Sequence, residues 1–271
     1  MGTLYLVATP IGNLEDITSR ALGVLREAGL IAVEDTRQTR KLLAHYQIRR
    51  PMLSYHEHNK LARLEQVLTA LAQGDVALVS DAGTPALNDP GYELVRAALA
   101  EGFPVSPVPG PSAPIAALVA SGLPTDAFLY LGYLPRRAGE RRALLEEVAG
   151  QPYTLIFLEA PHRLGSSLRD LRLILGDRPV AVARELTKLH EEIFRGSLSE
   201  AVAHFEAGPV RGEITLVVAG REEAAVWSED RLRSALQAAR EEGRTPSQVA
   251  GELAARSGWP RRTVYRLITE K

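Results

Sequence analysis

The chain has 271 residues, 45% of them hydrophobic, enough for one large domain or two ordinary ones with separate cores. A net charge of −1 excludes a protein that grips polyanions over its whole surface. The absence of cysteine excludes disulfides, thiolate catalysis and cysteine-held zinc or iron–sulfur centres.

The N-terminal stretch MGTLYLVATPIGN has no basic leader and only a short apolar run, so a cytoplasmic protein without a membrane span is expected. TLYLVAT (3–9) reads as a buried strand, and DITSRALGVLREAG (16–29) as a helix with Asp16 as its cap and Gly29 as its stop. LIAVED (30–35) is a strand, TRQTRKLLAHYQI (36–48) and ARLEQVLTALAQG (62–74) are helices, and DVALVSD (75–81) is again a strand. A helical pattern follows over 92–102, then a short strand, a proline-rich turn and a helix over 105–122. This βαβ rhythm predicts an α/β fold with a parallel sheet covered on both faces.

SGLPTD (121–126) is the expected internal boundary. Beyond it, strands are expected at 128–134, 153–160, 179–186, 191–198 and 212–220, with helices at 139–149, 161–175 and 198–207. EEIFRGSL has the look of a hairpin partner, so the second sheet should be mixed. AGREEAAVWSED (219–230) reads as a linker to a helical tail. The expected organisation is an N-terminal α/β domain over 1–120, a second α/β domain over 125–221, and a helical extension over 228–271. The tail breaks as helix, Gly-containing turn and helix, a helix-turn-helix layout with Arg261, Arg262 and Arg266 on its second helix. It holds nine Lys/Arg against six Asp/Glu, net +3, leaving −4 for the body.

Turn chemistry gathers at strand ends: ATPIGN (8–13), SDAGTPALNDPG (80–91), PVPGPSA (107–113) and LEAPHR (158–163). In open α/β sheets these ends line ligand crevices. None of the loops is a G-x-G-x-x-G or a G-x-x-x-x-G-K-[ST], so a dinucleotide or ATP site lacks its phosphate loop. Ionisable groups cluster in EDTR (34–37), where Glu34 or Asp35 is a base candidate, and in SYHEHNK (54–60), where His56 and His58 lack an evident third metal ligand. LEAPHR and ARELTKLHEE place Glu159, His162, Arg184, Glu185, Lys188 and Glu191 at strand ends of the second half. LPRRAGERR (134–142) reads as a basic flap or as a solvated helix start.

In order, LVATPIGNLEDIT, VEDTRQTRKLL, LVSDAGTPALNDPG, VPGPSA, FLEAPHR, ARELTKLHEE and GEITLVVAG resemble the tetrapyrrole-methylase superfamily, and within it the branch that acts on ribosomal RNA. The resemblance spans roughly residues 3–220 and extends to the helix-turn-helix tail found in many members. It implies a two-domain α/β protein using S-adenosylmethionine, bound in the cleft between the domains. It also implies a homodimer and 2′-O-methylation of a cytidine ribose in the decoding region of 16S rRNA. Carried over by motif, Asp81, Ala82, Gly83, Pro85, Ser112 and Ala113 line the cofactor pocket with Pro10 packed nearby. Phe157 or Leu158, Ala183, and Glu213 or Ile214 close over the adenine. Asp35, Glu159 and Lys188 are the candidate catalytic groups, and no metal is expected. Arg37, His56, Arg136, Arg137 and the tail arginines are the candidate RNA contacts. The acidic body makes 16S rRNA within the assembled 30S subunit the expected partner. Two other readings remain open: a methylase of a small tetrapyrrole or a protein side chain, and a ligand-sensing DNA-binding regulator whose operative part is the tail.

Overall fold

The computed structural model describes residues 2–222, 227–241 and 244–269, so 223–226 of the expected linker lie outside the described residues. Among the described residues the strands form two five-stranded sheets. The first contains β1 (Leu4–Val7), β2 (Leu30–Val33), β3 (Met52–Ser54), β4 (Val76–Val79) and β5 (Val105–Val108) in the order β3-β2-β4-β1-β5. Every pairing in it is parallel. A parallel sheet must bury both faces, and the VALV of β4 is buried throughout. One face packs Ile17, Leu25, Ile31 and Leu42, and the other packs Tyr55, Leu71, Leu94 and Phe103.

The helices over this sheet are α1 (Ser19–Glu27), α2 (Thr36–His45), α3 (Lys60–Gln73) and α4 (Tyr92–Ala100). The expected helix from Asp16 starts later. Leu14–Asp16 form a separate 3-10 turn, and Thr18 caps α1 by accepting from the Ala21 amide at 3.1 Å. The helix also stops at Glu27, short of Gly29.

The second sheet contains β6 (Phe128–Tyr133), β7 (Thr154–Glu159), β8 (Pro179–Arg184), β9 (Glu192–Ser197) and β10 (Ile214–Val218) in the order β6-β7-β10-β8-β9. It is mixed, as expected: β6 and β7 are parallel, and the remaining pairs are antiparallel. Helices α6 (Ala138–Val148), α7 (Leu164–Leu175) and α8 (Leu198–Glu206) cover one face through Leu145, Leu168, Leu171 and Phe205. The expected helix from 161 divides into a 3-10 turn, Pro161–Arg163, and α7. The other face takes α5 (Ala113–Ser121), whose Ala117 and Leu118 pack on Ile156, Ala181, Ala183 and Val217. Thus α5 follows the last strand of the first sheet yet is covered by the second. Its APIAALVAS sequence is apolar on nearly every side; Ala117 and Leu118 are buried on the sheet, while Ile115 and Val119 stay exposed on the other side.

The tail is α9 (Glu229–Glu241), α10 (Pro246–Ser257) and α11 (Arg261–Thr269) around its own core of Leu232, Leu236, Val249, Leu253, Val264 and Ile268. Gly258 takes the left-handed turn between α10 and α11.

Candidate functional site

The strand ends of the two sheets face each other across a cleft of about 370 Å³. From the first sheet come Ile11, Glu34, the segment Asp81–Thr84, Leu87–Asp89, and Ser112–Pro114. From the second come Tyr130, Tyr133, Leu158–Pro161 and Gly212–Thr215. The domains touch on both sides of this opening. A side chain at Gly12 would collide with Lys188 and Thr187, and one at Gly132 would collide with the amide of Asn88.

The loop after β4 is held by backbone bonding. Thr9 N–H donates to Gly83 O at 2.9 Å, and Gly83 N–H donates back to Thr9 O at 3.0 Å. Gly83, Ala86, Asn88 and Gly91 all have positive φ, of 76°, 66°, 62° and 150°. Two of these carry a Cβ, so the loop stores strain that its packing must hold, a pattern that gathers at functional sites. Across the cleft, Glu185 (φ 51°) and Thr187 (φ 64°) repeat it.

The electrostatics are acidic. Asp35 N–H donates to Asp81 Oδ1 at 3.0 Å, and Asp81 N–H donates to Glu34 Oε2 at 3.3 Å. Burial raises Glu34 and Asp81 above the usual carboxylate range, and neighbouring carboxylates add to it. Asp89 is pushed up to about 6, by burial first and then by the charge of Glu34, against a hydrogen bond from Ser80. Burial also pushes the Tyr130 phenol up to about 12 and raises Tyr133.

The structure brings together Asp81, Ala82, Gly83, Ser112, Ala113, Leu158 and Ile214 of the residues expected at the cofactor pocket. Ser112 is the N-cap of α5 but makes no side-chain capping bond, which leaves its hydroxyl available to a ligand. Pro10 and Pro85 sit in the flanking loops without lining the cleft, while Phe157 and Ala183 are core residues.

Of the three candidate catalytic groups, only Glu159 lines the cleft. Its buried carboxylate accepts from the Ser167 hydroxyl, from Ala160 N–H at 2.7 Å and from the Arg163 guanidinium. Asp35 caps α2 and grips Arg37 at 2.7 Å, and these bonds lower its carboxyl to about 2. Burial acts to lower the Lys188 pKa, but its bonds to Glu185 (2.8 Å) and Glu213 (3.2 Å) outweigh it and keep the ammonium charged. The carboxylates of Asp35 and Glu159 and the Lys188 amine are therefore all committed.

Among the RNA candidates, Arg37 is exposed beside Asp35, and His56 is half-buried against Asn59. Arg136 and Arg137 are exposed at the start of α6. That segment is anchored rather than a free flap, because Arg141 is buried and bonds Asp170 at 2.6 Å and 2.8 Å. Arg261, Arg262 and Arg266 line the outer face of α11, with Tyr265 46% exposed among them. The sequence reading missed Asn88, Asp89, Tyr130 and Tyr133. Asp89 was within reach, as a carboxylate in a Gly/Pro-rich loop at a strand end. The tyrosines carry no local signal, because only the facing of the two sheets brings them to the cleft.

Comparison with known proteins agrees with this geometry. A Synechocystis sp. protein named ribosomal RNA small subunit methyltransferase I is 48% identical over 274 residues, covering 100% of this chain and 98% of its own. A Thermotoga maritima protein of the same name is 51% identical over 223 residues, covering 82% of this chain and 100% of its own. A crystal structure of uroporphyrin-III C-methyltransferase from Thermus thermophilus, complexed with S-adenyl homocysteine, shares the fold. It is 23% identical with a TM-score of 0.55, over 80% of this chain and 97% of its own. Residues 3–202 match the family Tetrapyrrole (Corrin/Porphyrin) Methylases, and the chain belongs to that family.

Proposed function

We propose that the chain transfers a methyl group from S-adenosylmethionine to small-subunit ribosomal RNA, and that the acceptor is the 2′-oxygen of a cytidine ribose in the decoding region of 16S rRNA. The observation that supports this reading is likeness over the whole length, 48% identity across 274 residues, to a protein named as a small-subunit ribosomal RNA methyltransferase.

The cleft suits the cofactor. S-adenosylmethionine carries a sulfonium, an ammonium, a carboxylate and a purine. Glu34, Asp81 and Asp89 supply negative charge for the cationic groups. The N-terminus of α5, with the uncommitted Ser112 hydroxyl, suits the carboxylate. Leu158, Ile214 and Tyr130 offer apolar surface to the purine. Pro10 and Pro85 would brace the loops. When bound, the cofactor supplies an already activated methyl group.

The protein's own residues then have two tasks. The first is alignment of acceptor and donor, which can account for much of the rate. The rigid, bridged loop around Gly83 and the N-terminus of α5 serve it. The second is removal of the hydroxyl proton. Asp89 suits this best, since it lines the cleft and its carboxyl lies at about 6, close to neutrality. Arg37, Arg136, Arg137 and the α11 arginines would meet phosphates, with the 30S subunit as the substrate particle and the cytoplasm as the site of action. A homodimer would cover exposed apolar side chains such as Leu189, 93% exposed, and Val119, 69% exposed; light scattering tests the dimer.

The deciding experiment is transfer of labelled methyl to 30S subunits lacking their decoding-region ribose methylation, to deproteinised 16S rRNA and to a tetrapyrrole precursor. Label in 30S RNA that survives as an alkali-resistant dinucleotide is the expected result. Label only in the tetrapyrrole, or none, refutes the proposal.

A further inference from the structure

Between Thr36 and His56 the chain contains Arg37, Arg40, Lys41, Arg49 and Arg50 and no Asp or Glu, a local +5 in a chain of net −1. The fold turns this run into a continuous surface. Thr39, Leu42 and Leu43 of α2 face the core, while Arg37, Arg40, Lys41, Ala44 and Gln47 are exposed at helical spacing. The helix begins at the cleft, where its cap Asp35 is bonded to Asp81. From there it carries the charge about 15 Å away, ten residues at roughly 1.5 Å each.

At its far end lies a groove of about 630 Å³ whose basic wall is Arg40, Arg49 and Arg50 and whose floor includes Ile48 and Met52. Among the described residues, none of these three arginine side chains has a hydrogen bond or ion pair, in contrast to Arg169 with Glu206 and Arg184 with Glu192. They are not needed as caps for α2. Tyr46, Gln47 and Ile48 N–H close onto the carbonyls of Leu42, Ala44 and Leu43 at 3.3, 3.1 and 2.8 Å. Three exposed guanidinium groups, close together and without an acidic partner, match a row of phosphates.

We propose that this face of α2 and the groove at its end hold the sugar–phosphate backbone of the RNA strand leading away from the cleft. The inference rests on the RNA-methylation reading and adds the direction in which the substrate crosses the protein.

The test compares wild type, R40A/R49A/R50A and the charge-keeping R40K/R49K/R50K for binding to 30S subunits across a KCl series. Each lost phosphate contact on a single strand removes about 0.7 from the slope of log affinity against log salt. The alanine variant should therefore show a slope shallower by about 2 and bind about 100-fold more weakly at 0.1 M salt. The lysine variant should keep most of the slope. S-adenosylmethionine affinity and the melting temperature should be unchanged in both. An unchanged slope and affinity in the alanine variant overturns the inference, as does an equal loss in the lysine variant, which would mark a packing role. If the wild type binds 30S subunits but transfers no methyl group, the methylation reading falls, and the salt slope still decides this contact.

Discussion

Replacing Asp89 by Asn should stabilise the protein at pH 8 and change little near pH 3.5. The carboxyl rises from an ordinary 3.8 to about 6 in the fold, because burial and the charges of Glu34 and Asp81 disfavour its ionised form. The fold therefore prefers the protonated acid. Stability from this preference is fully present below the unfolded value and is lost as pH rises through about 6. Two pKa units correspond to roughly 3 kcal/mol. Asp89 is only partly buried in an open cleft, and solvent screening reduces the effect to about 1–2 kcal/mol. Asparagine keeps the shape and never ionises, so D89N should recover that amount above pH 6. The assay is urea unfolding of the ligand-free protein at several pH values between 3.5 and 8. A D89N effect of equal size at every pH, or a loss of stability at pH 8, would refute the electrostatic account. The same coupling acts on the ligand. A cation favours the ionised carboxylate, so wild-type affinity for S-adenosylmethionine should climb as pH rises through about 6, and D89N should show a smaller climb, carried by Glu34 and Asp81.

Arg141→Ala should cost about 3–5 kcal/mol by urea unfolding, because it leaves Asp170 buried with only the half-exposed Arg142 as partner. Gly83→Val forces a β-branched residue to φ 76°, at a cost of about 1–2 kcal/mol, and calorimetry should show weakened cofactor binding with the circular dichroism spectrum retained. Removal of residues 228–271 should leave the unfolding midpoint of the body unchanged, since the tail's core shares no residue with the other clusters. The same truncation should weaken 30S binding in a filter assay while cofactor affinity holds.

The parallel first sheet was readable because its strands are short apolar runs set between helices of clear 3.6 periodicity. Strand β3 was not, since its three half-buried residues sit between RRP and a polar loop. Asp16 and Thr18 are both sound caps by chemistry, and only the path of the chain chooses Thr18. Strand alternation puts Phe157 and Leu158 on opposite faces, but which face meets the cleft is decided by how the sheets pack. The loops of the site were readable from their Gly and Pro content. The commitments of Glu159 and Lys188 were not, because Ser167 and Glu213 come to them through the fold.

The contacts at Gly12 and Gly132 make the gap between the two sheets a dimension set by missing atoms. Each is a spacer of zero thickness, and the aperture of the cleft is the sum of what stands on either rim. Alanine, serine and valine at Gly12 would form a graded series of shims that press on Thr187 and Lys188, outside the cleft lining, whereas a side chain at Gly132 would press on Asn88 within it. Selection among acceptors of different bulk can then be tuned where the loops around Gly12 and Thr187–Lys188 meet, apart from the groups that hold the cofactor.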